Sequence, residues 1–319
     1  MKKYLFILFA AIGLTGCSEK AKVNSEIEEI PVEVQVLRFD KEFIETPDAG
    51  FSKLKQKYPF LLPANVPDEE WMNKRNDSLF KVLYKEVQTQ FADTKQLEAD
   101  LESLFKHIKY YFPNQKPGKV VTLISEVDVD AKTIYTDSLS IISLDTYLGK
   151  DHRFYEVFDT YLLGSFEPKQ ITSDLAESFI TTQLPYPNDR QFLSQIIYSG
   201  KIMYAKDLLI PNASDDIKMG YSPEQIQWCF DNESHMWKYF IENKLLYDSD
   251  SKLYGRFIQN APFSKFYLDL DDESPGRVGV WIGWQIVRSY MKNNNVTLQE
   301  LFAKDAKEIF DNSKYKPKK

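Results

Sequence analysis

Residues 273–291 have the sequence Glu-Ser-Pro-Gly-Arg-Val-Gly-Val-Trp-Ile-Gly-Trp-Gln-Ile-Val-Arg-Ser-Tyr-Met and predict the central helix of the fold. Ser274 suits the N-cap and Pro275 the first helical position, where the missing N–H of proline has no helical partner to lose. One stripe of this helix carries Gly276, Gly279 and Gly283. Each interior glycine costs roughly 1 kcal/mol relative to alanine, so the stripe indicates that another backbone approaches closely. The other face carries Arg277, Trp281, Trp284 and Arg288. A helix that is apolar or glycine-rich nearly all round is buried.

Hydrophobic periodicity predicts an α+β fold that is predominantly helical. Helical patterns cover 41–58, 68–91, 93–112, 191–210 and 223–246, besides the central helix. Strand patterns cover 119–125, 132–136 and 140–145, which predict a small β-sheet packed against the helical body, and 32–37, which we assign to the same domain. Residues 31–319 are therefore predicted to form a single domain. The turn at 113–118 is the alternative place for a subdomain break.

The N-terminus predicts export and a lipid anchor. Lys2 and Lys3 precede a short apolar run, which is a signal-peptide pattern and is too short for a membrane span. The run ends Leu-Thr-Gly-Cys at 14–17, which resembles the bacterial lipobox. We therefore predict a signal peptide over 1–16, lipidation of Cys17 and a polar tether over 17–30. With Cys17 lipidated, Cys229 has no cysteine left to form a disulfide with.

Charge and missing motifs exclude several classes of function. The formal charge is −7, and loss of Lys2 and Lys3 with the signal makes it more negative, which argues against nucleic-acid binding. The three histidines, His107, His152 and His235, form no His-x-x-x-His pair, and there is no Cys-x-x-Cys, phosphate loop or dinucleotide glycine pattern. We therefore predict neither a metal nor another cofactor.

One carboxylate is predicted on a buried helix face. Glu233 shares the apolar stripe of the 223–246 helix, where a carboxylate needs a partner or a proton. Arg277 is the predicted partner and Lys201 the alternative. Two interpretations stay open at this stage: a buried ion pair that fixes packing, and a polar site at the floor of a cleft.

Four runs of sequence resemble the gliding-motility lipoprotein GldB family. They are Tyr-Ser-Gly-Lys-Ile-Met-Tyr at 198–204, Gln-Trp-Cys-Phe-Asp-Asn-Glu at 227–233, Ala-Pro-Phe at 261–263 and Ser-Pro-Gly-Arg-Val-Gly-Val-Trp-Ile-Gly-Trp at 274–284. The resemblance covers essentially the whole mature chain. It implies a cell-envelope lipoprotein that faces the periplasm, in either the inner or the outer membrane, and is required for gliding. Its implied partners are other envelope proteins of the gliding and secretion machinery.

The same family is similar to predicted zinc-dependent proteases that carry His-Glu-x-x-His and, further on, a Glu-Gly pair. The matching slots are here assigned to residues 176–180 (Ala-Glu-Ser-Phe-Ile) and 199–200 (Ser-Gly), so that only Glu177 remains of the motif. The resemblance thus implies a zincin-like scaffold without the metal motif, a pseudo-protease. Three functions follow as hypotheses: a non-catalytic lipoprotein that acts through protein partners, a metal-independent hydrolase that uses Glu177 and Glu233, and a ligand-binding lipoprotein.

Overall fold

The computed structural model describes residues 25–268 and 271–318, and most of them are helical. The α-helices are α1 (Phe39–Glu45), α2 (Phe51–Lys57), α3 (Asp68–Asn76), α4 (Ser78–Gln90), α5 (Lys95–Tyr111), α6 (Ile171–Gln183), α7 (Phe192–Leu209), α8 (Asp215–Met219), α9 (Pro223–Glu242), α10 (Lys252–Phe257), α11 (Val278–Asn293), α12 (Leu298–Ala303) and α13 (Ala306–Ser313). The strands are β1 (Gln35–Arg38), β2 (Lys119–Leu123), β3 (Thr133–Tyr135) and β4 (Ser140–Ser143). The predicted α+β class, with helices predominant, is confirmed.

The four strands form one mixed sheet in the order β1-β2-β4-β3. β1 and β4 both run parallel to β2, with Val36 opposite Val120 and Val121 opposite Ile141, whereas β3 runs antiparallel to β4. The strand predicted at 32–37 therefore belongs to the same sheet as the strands after residue 118. Helix α6 packs against β3, and the Ser178 hydroxyl accepts a 2.9 Å hydrogen bond from the backbone N–H of Tyr135.

Two helices predicted as continuous are interrupted. The 41–58 helix is divided into α1 and α2 by a break at Thr46, whose extended backbone precedes Pro47. The residue before a proline avoids helical angles, which explains the break. The 68–91 helix is divided at Asp77, whose carboxylate accepts the Phe80 N–H at 2.8 Å and so caps a new helix.

Helices α7 and α11 cross at the centre of the helical body with their backbones in contact. A Cβ on Gly200 would meet the carbonyl of Gly283, and a Cβ on Gly283 would meet the carbonyl of Ile196. Gly279 lies against the carbonyl of Phe257 in the same way. The close approach predicted from the glycine stripe is therefore confirmed. On the opposite face Trp281 and Trp284 are fully buried, with ring centroids 5.7 Å apart.

The start of α11 differs from the prediction. The helix begins at Val278, and Arg277 before it has a left-handed backbone, with φ 66° and ψ 23°. Its capping group comes from elsewhere in the chain, because the Ser264 hydroxyl accepts the Val278 N–H at 3.3 Å. Ser274 instead bonds the carbonyls of Ser264 and Asp271 in the preceding loop. The prediction that Ser274 caps the helix and that Arg277 lies in its first turn was wrong, since a tertiary cap replaces the local one.

Candidate functional site

A cleft of about 870 Å³ opens beside the crossing of α7 and α11. Helices α6 and α7 contribute the largest shares of its lining, and the segments around 129–133, 161–166, 218–220 and 258–260 and the start of α11 contribute much of the remainder. This volume lies within the range of about 300–1,000 Å³ that is typical of ligand sites. The lining mixes charged, hydroxyl, amide and apolar side chains.

A buried ammonium group lies under the cleft. The Nζ of Lys206, on α7, donates to Glu177 Oε2 at 2.6 Å, to Ser173 Oγ at 3.2 Å and to the carbonyl oxygen of Lys218 at 3.1 Å. The side chain of Lys206 is only 3% exposed. An ammonium group has three N–H donors, and here every one has an acceptor. Lys206 therefore ties α7 to α6 and to α8 through an ion pair and two further hydrogen bonds.

Glu177 presents the other half of this ion pair to the cleft. Its side chain is 43% exposed, and its second carboxylate oxygen, Oε1, accepts no hydrogen bond from the described residues. The positive charge of Lys206 in the first place, helped by that of Arg277, holds the pKa of the Glu177 carboxyl below its usual value. Glu177 is therefore ionised at neutral pH and is a weaker base than an ordinary glutamate.

A second ion pair connects the cleft to the sheet. Asp174 Oδ2 accepts from Lys132 Nζ at 2.7 Å and from the Tyr147 hydroxyl at 2.7 Å. Lys132 precedes β3, and its Nζ also donates to the carbonyl of Ser165 at 2.6 Å. Burial first, and then the charge of Asp174, raises the pKa of Tyr147 well above its usual value, so the phenol stays a donor. This pair fixes α6 against the edge strand.

Arg277 lines the cleft without a carboxylate partner. Its Nη1 donates to the carbonyl of Met219 at 2.8 Å, and no described residue accepts from its Nε or Nη2 or forms a salt bridge with it. Its left-handed backbone costs a non-glycine residue roughly 1 kcal/mol or more. The neighbouring backbone is confined, because a Cβ on Gly276 would meet the carbonyl of Ala261, and the Tyr221 hydroxyl bonds the carbonyl of Gly276.

Tyrosines surround the opening of the cleft. Tyr186 and Tyr254 are 61% and 47% exposed, and Tyr198 packs edge-on against Tyr186 with ring centroids 5.0 Å apart. The Tyr186 hydroxyl donates to Gln195 Oε1 at 2.9 Å, which fixes that ring. Exposed tyrosines at a concave surface are typical contact residues for a partner, because they combine a large apolar ring with a hydroxyl group.

A denser charge network lies behind the cleft and supports its floor. Arg288 forms paired hydrogen bonds with both Asp207 and Asp215, at 2.7–2.9 Å. Asp207 also accepts the indole N–H of Trp284 at 2.9 Å and pairs with Lys218 at 3.0 Å. The backbone carbonyl of Lys218 also accepts the hydrogen bond from Lys206 Nζ. This charge network is therefore connected to the floor of the cleft and holds it in place.

The structure separates the residues that the sequence singled out. Glu177 and Arg277 line the cleft, whereas Lys201 and Glu233 do not. Lys201 is buried against the end of α12 and donates to the carbonyls of Phe302 at 3.1 Å and Lys304 at 2.7 Å. Cys17 lies outside the described residues.

Glu233 is buried, as predicted, but its predicted partners are wrong. Its Oε1 accepts from the Tyr315 hydroxyl at 2.8 Å and from the backbone N–H of Lys318 at 3.3 Å. No ion pair joins it to Arg277 or Lys201. The C-terminal segment therefore folds back over α9, and its donors occupy the carboxylate oxygen that was predicted to pair with Arg277.

The predicted register of the protease motif stays a prediction. Ala176 and Ile180, the two assigned histidine slots, are fully buried in the core and do not line the cleft. The positions of α6 that face the cleft include Ser173, Asp174 and Glu177. Ser173 lies three residues before Ala176, the position assigned to the first histidine. If the motif is aligned with the cleft, the spacing of His-Glu-x-x-His falls on Ser173, Asp174 and Glu177.

The residues that complete the site were missed by sequence reasoning. Lys206 and Asp207 are adjacent charges in a mostly apolar helix that also contains Lys201, and this was the available signal for buried partners. Lys132, Asp174 and Lys218 carried no such signal, because each belongs to a segment with ordinary polar composition.

Two further features concern metals and membranes. Within 25–268 and 271–318, no three His, Cys, Asp or Glu side chains come close enough to hold a metal ion. Among the same residues, no helix combines the length and the apolar character that a membrane span requires.

The fold and the site define a predominantly helical α+β protein with a polar cleft organised by ion pairs. A family model described as gliding motility protein GldB matches residues 20–317. The chain therefore belongs to the GldB family of gliding motility proteins, as the sequence resemblance indicated. Neither the curated proteins nor the solved structures gave a match to this chain.

Proposed function

We propose that the protein is a cell-envelope lipoprotein that acts in gliding motility, and in the protein secretion associated with it, by binding a partner protein in the cleft without catalysing a reaction. Lipidation of Cys17 would hold it on a membrane, facing the periplasm, and the tether predicted over 17–30 would end before Ile27, which is only 2% exposed. The partners would be other envelope proteins of the gliding and secretion machinery, with no role for nucleic acid.

The ion pair of Lys206 and Glu177 is the observation that carries this proposal. A hydrolase would need a base or a nucleophile in the cleft. Lys206 Nζ already has an acceptor for each of its three N–H groups, and its positive charge lowers the pKa of Glu177, which makes that carboxylate a weaker base than an ordinary glutamate. The Ser173 hydroxyl accepts from Lys206 Nζ at 3.2 Å and donates to the carbonyl of Ile217 at 3.2 Å, so its proton is directed at a backbone oxygen and not at a base.

The alternative of a metal-independent hydrolase has less support. It relied on Glu177 and Glu233 facing each other across one cleft, and Glu233 lies outside the cleft lining. The cleft is also open and polar, which favours binding of a partner or a ligand over a purely internal role. A ligand-binding lipoprotein is the related second candidate, and it would use the same surface.

The residues on α6 do not fit the zinc ion that the resemblance to proteases implies. The Lys206 ammonium is within hydrogen-bond distance of both Ser173 and Glu177, where it would repel a divalent cation. Serine is also a poor zinc ligand compared with histidine or cysteine. We expect metal analysis of the purified protein to find no stoichiometric zinc, and about one zinc per chain would contradict the pseudo-protease interpretation.

A matched pair of substitutions tests the proposal in gliding cells. Thr181→Trp places a bulky ring at the cleft, whereas Thr89→Trp places the same ring on α4, away from the cleft; both threonines are exposed and bond a helix carbonyl. We expect Thr181→Trp to stop gliding and adhesin secretion at normal protein level, and Thr89→Trp to leave both intact.

Undiminished gliding in both variants would refute a role for the cleft. A peptidase assay separates the hydrolase alternative, because hydrolysis by the purified protein that Glu177→Gln abolishes would favour catalysis over binding.

A further inference from the structure

We propose that the cleft binds a peptide segment of its partner through a carboxylate group that pairs with Arg277. This inference depends on the proposed function, since it names the chemistry of the partner that the cleft would bind.

Every cation at the cleft forms a salt bridge within the described part of the chain, except Arg277, whose charge acts on Glu177 without a salt bridge or a hydrogen bond. Lys132 pairs with Asp174 at 2.7 Å, Lys206 with Glu177 at 2.6 Å and Lys218 with Asp207 at 3.0 Å. Arg277 bonds one backbone carbonyl and leaves Nε and Nη2 without an acceptor among these residues. A guanidinium group is suited to paired hydrogen bonds with a carboxylate, so this is the group that the cleft is equipped to bind.

The position of Arg277 adds to the attraction for an anion. It directly precedes α11, a helix of 16 residues, whose N-terminal dipole favours negative charge. Its left-handed backbone is strained, and strain held by the surrounding structure at a cavity is characteristic of functional residues. Glycine would fit this conformation without strain, so the side chain rather than the backbone is the reason for an arginine here.

The neutral part of the lining suits a peptide backbone. Gln170 is 97% buried and lines the cleft, yet its carboxamide bonds to no residue within 25–268 or 271–318. Oε1 of Glu177 is a free acceptor for an N–H group, and Gln170 can both donate to and accept from an amide. The exposed rings of Tyr186 and Tyr254 provide contact surface for side chains that flank the carboxylate.

The other charges of the cleft argue for a single negative charge. Asp174 and Glu177 lie in the same lining and would repel a phosphate dianion or a polyanion more strongly than one carboxylate. The chain as a whole is also acidic, with formal charge −7. A carboxylate at a C-terminus and one on an aspartate or glutamate side chain share the required chemistry, and the experiment separates them.

The test uses the purified full chain in detergent and three pools of fluorescein-labelled hexapeptides. One pool has a free C-terminal carboxylate, a second has an amidated C-terminus and one internal aspartate or glutamate, and a third is amidated and contains no acid. Fluorescence polarisation should show at least one acidic pool binding about tenfold or more tighter than the neutral pool, which is the effect expected of a charge-assisted pair. The pool that binds identifies the source of the carboxylate.

Arg277→Gly should abolish this preference while leaving the fold intact, because glycine tolerates the left-handed backbone. Lys244→Gly is the matched control, since Lys244 is an exposed cation with φ 57° that does not line the cleft. If Arg277→Gly lowers the melting temperature, Arg277→Gln is the second variant, because it keeps part of the side-chain stem and removes the charge.

Two results with the peptide pools would overturn the inference: equal binding of all three pools, and an acid preference that survives both Arg277 variants. A glucuronate oligosaccharide and phosphatidylglycerol vesicles serve as non-peptide acids, and binding to these alone would overturn it as well. These results are distinct from failure of the proposed function. If Thr181→Trp stops gliding but no acid preference is found, the cleft is used and only its assigned ligand chemistry is wrong.

Discussion

Alanine at Gly283 should destabilise the protein although it favours the helix. In the interior of a helix this substitution gains about 1 kcal/mol from backbone propensity. At Gly283 the new Cβ would overlap the carbonyl of Ile196 on α7, and a backbone carbonyl, unlike the end of a side chain, cannot rotate away. Overpacking of this kind costs about 3 kcal/mol. We expect a net loss of about 2 kcal/mol in the free energy of unfolding, or roughly 4 °C in melting temperature.

Gly255→Ala is the matched control, because Gly255 also lies in a helix, α10, and its new Cβ would meet only the end of the Gln259 side chain at 3.8 Å. This variant should be stabilised by up to about 1 kcal/mol. Both are measured by thermal and urea unfolding of the purified protein. A Gly283→Ala protein as stable as Gly255→Ala would refute the backbone contact of α7 and α11. In the Gly283→Ala background, Gly200→Ala should lower the free energy of unfolding by less than it does in the wild type, because α7 and α11 are already displaced.

Three further predictions concern charge and anchoring. Burial lowers the pKa of Lys201 to about 8, so between pH 8 and 10.5 the unfolded chain holds a proton that the folded chain lacks, and stability should rise with pH. By pH 9.5 the gain over Lys201→Met should reach about 2 kcal/mol in urea unfolding, and parallel curves for the two proteins would contradict it. Glu233→Gln should stay within about 1 kcal/mol of wild type, because Oε1 still accepts from Tyr315; a loss of about 3–5 kcal/mol in chemical unfolding would instead indicate a buried ionic partner. Cys17→Ala should release the protein from membranes in fractionation, and a mutant that is still lipid-modified would exclude Cys17 as the anchor.

The parts of the fold that the sequence predicted are those where local pattern and tertiary packing agree. The glycine stripe of the central helix required a close backbone, and α7 supplies it at Gly283. The alternating strands around Val36 and Val120 needed a common sheet, and they pair directly. The prediction for the start of α11 failed because Ser264, 14 residues before Val278, accepts the hydrogen bond from the Val278 N–H in place of a local cap. Local capping rules cannot anticipate a donor or acceptor from another segment.

The site was less predictable for a related physical reason. Burial of Glu233 followed from its helix face, but the identity of its partner depended on where the C-terminal residues around Tyr315 fold back. Lys206 was the most informative residue in retrospect, since a charge in an apolar helix must find partners. Its partners come from α6 and α8, and their approach is a property of the packing rather than of any single segment.

The internal ion pairs have a consequence for how the cleft binds. A lysine cannot dissociate as a metal ion can, so the contact of Lys206 with Ser173 and Glu177 persists whenever the protein is folded. The cost of organising the cleft is then met during folding, and a partner meets a preformed surface, which reduces the entropy lost on binding. Under the proposed function, a partner would satisfy the groups that folding leaves open, above all Arg277. Ion-paired lysines beside an arginine that forms no salt bridge with the described residues would then serve recognition rather than chemistry.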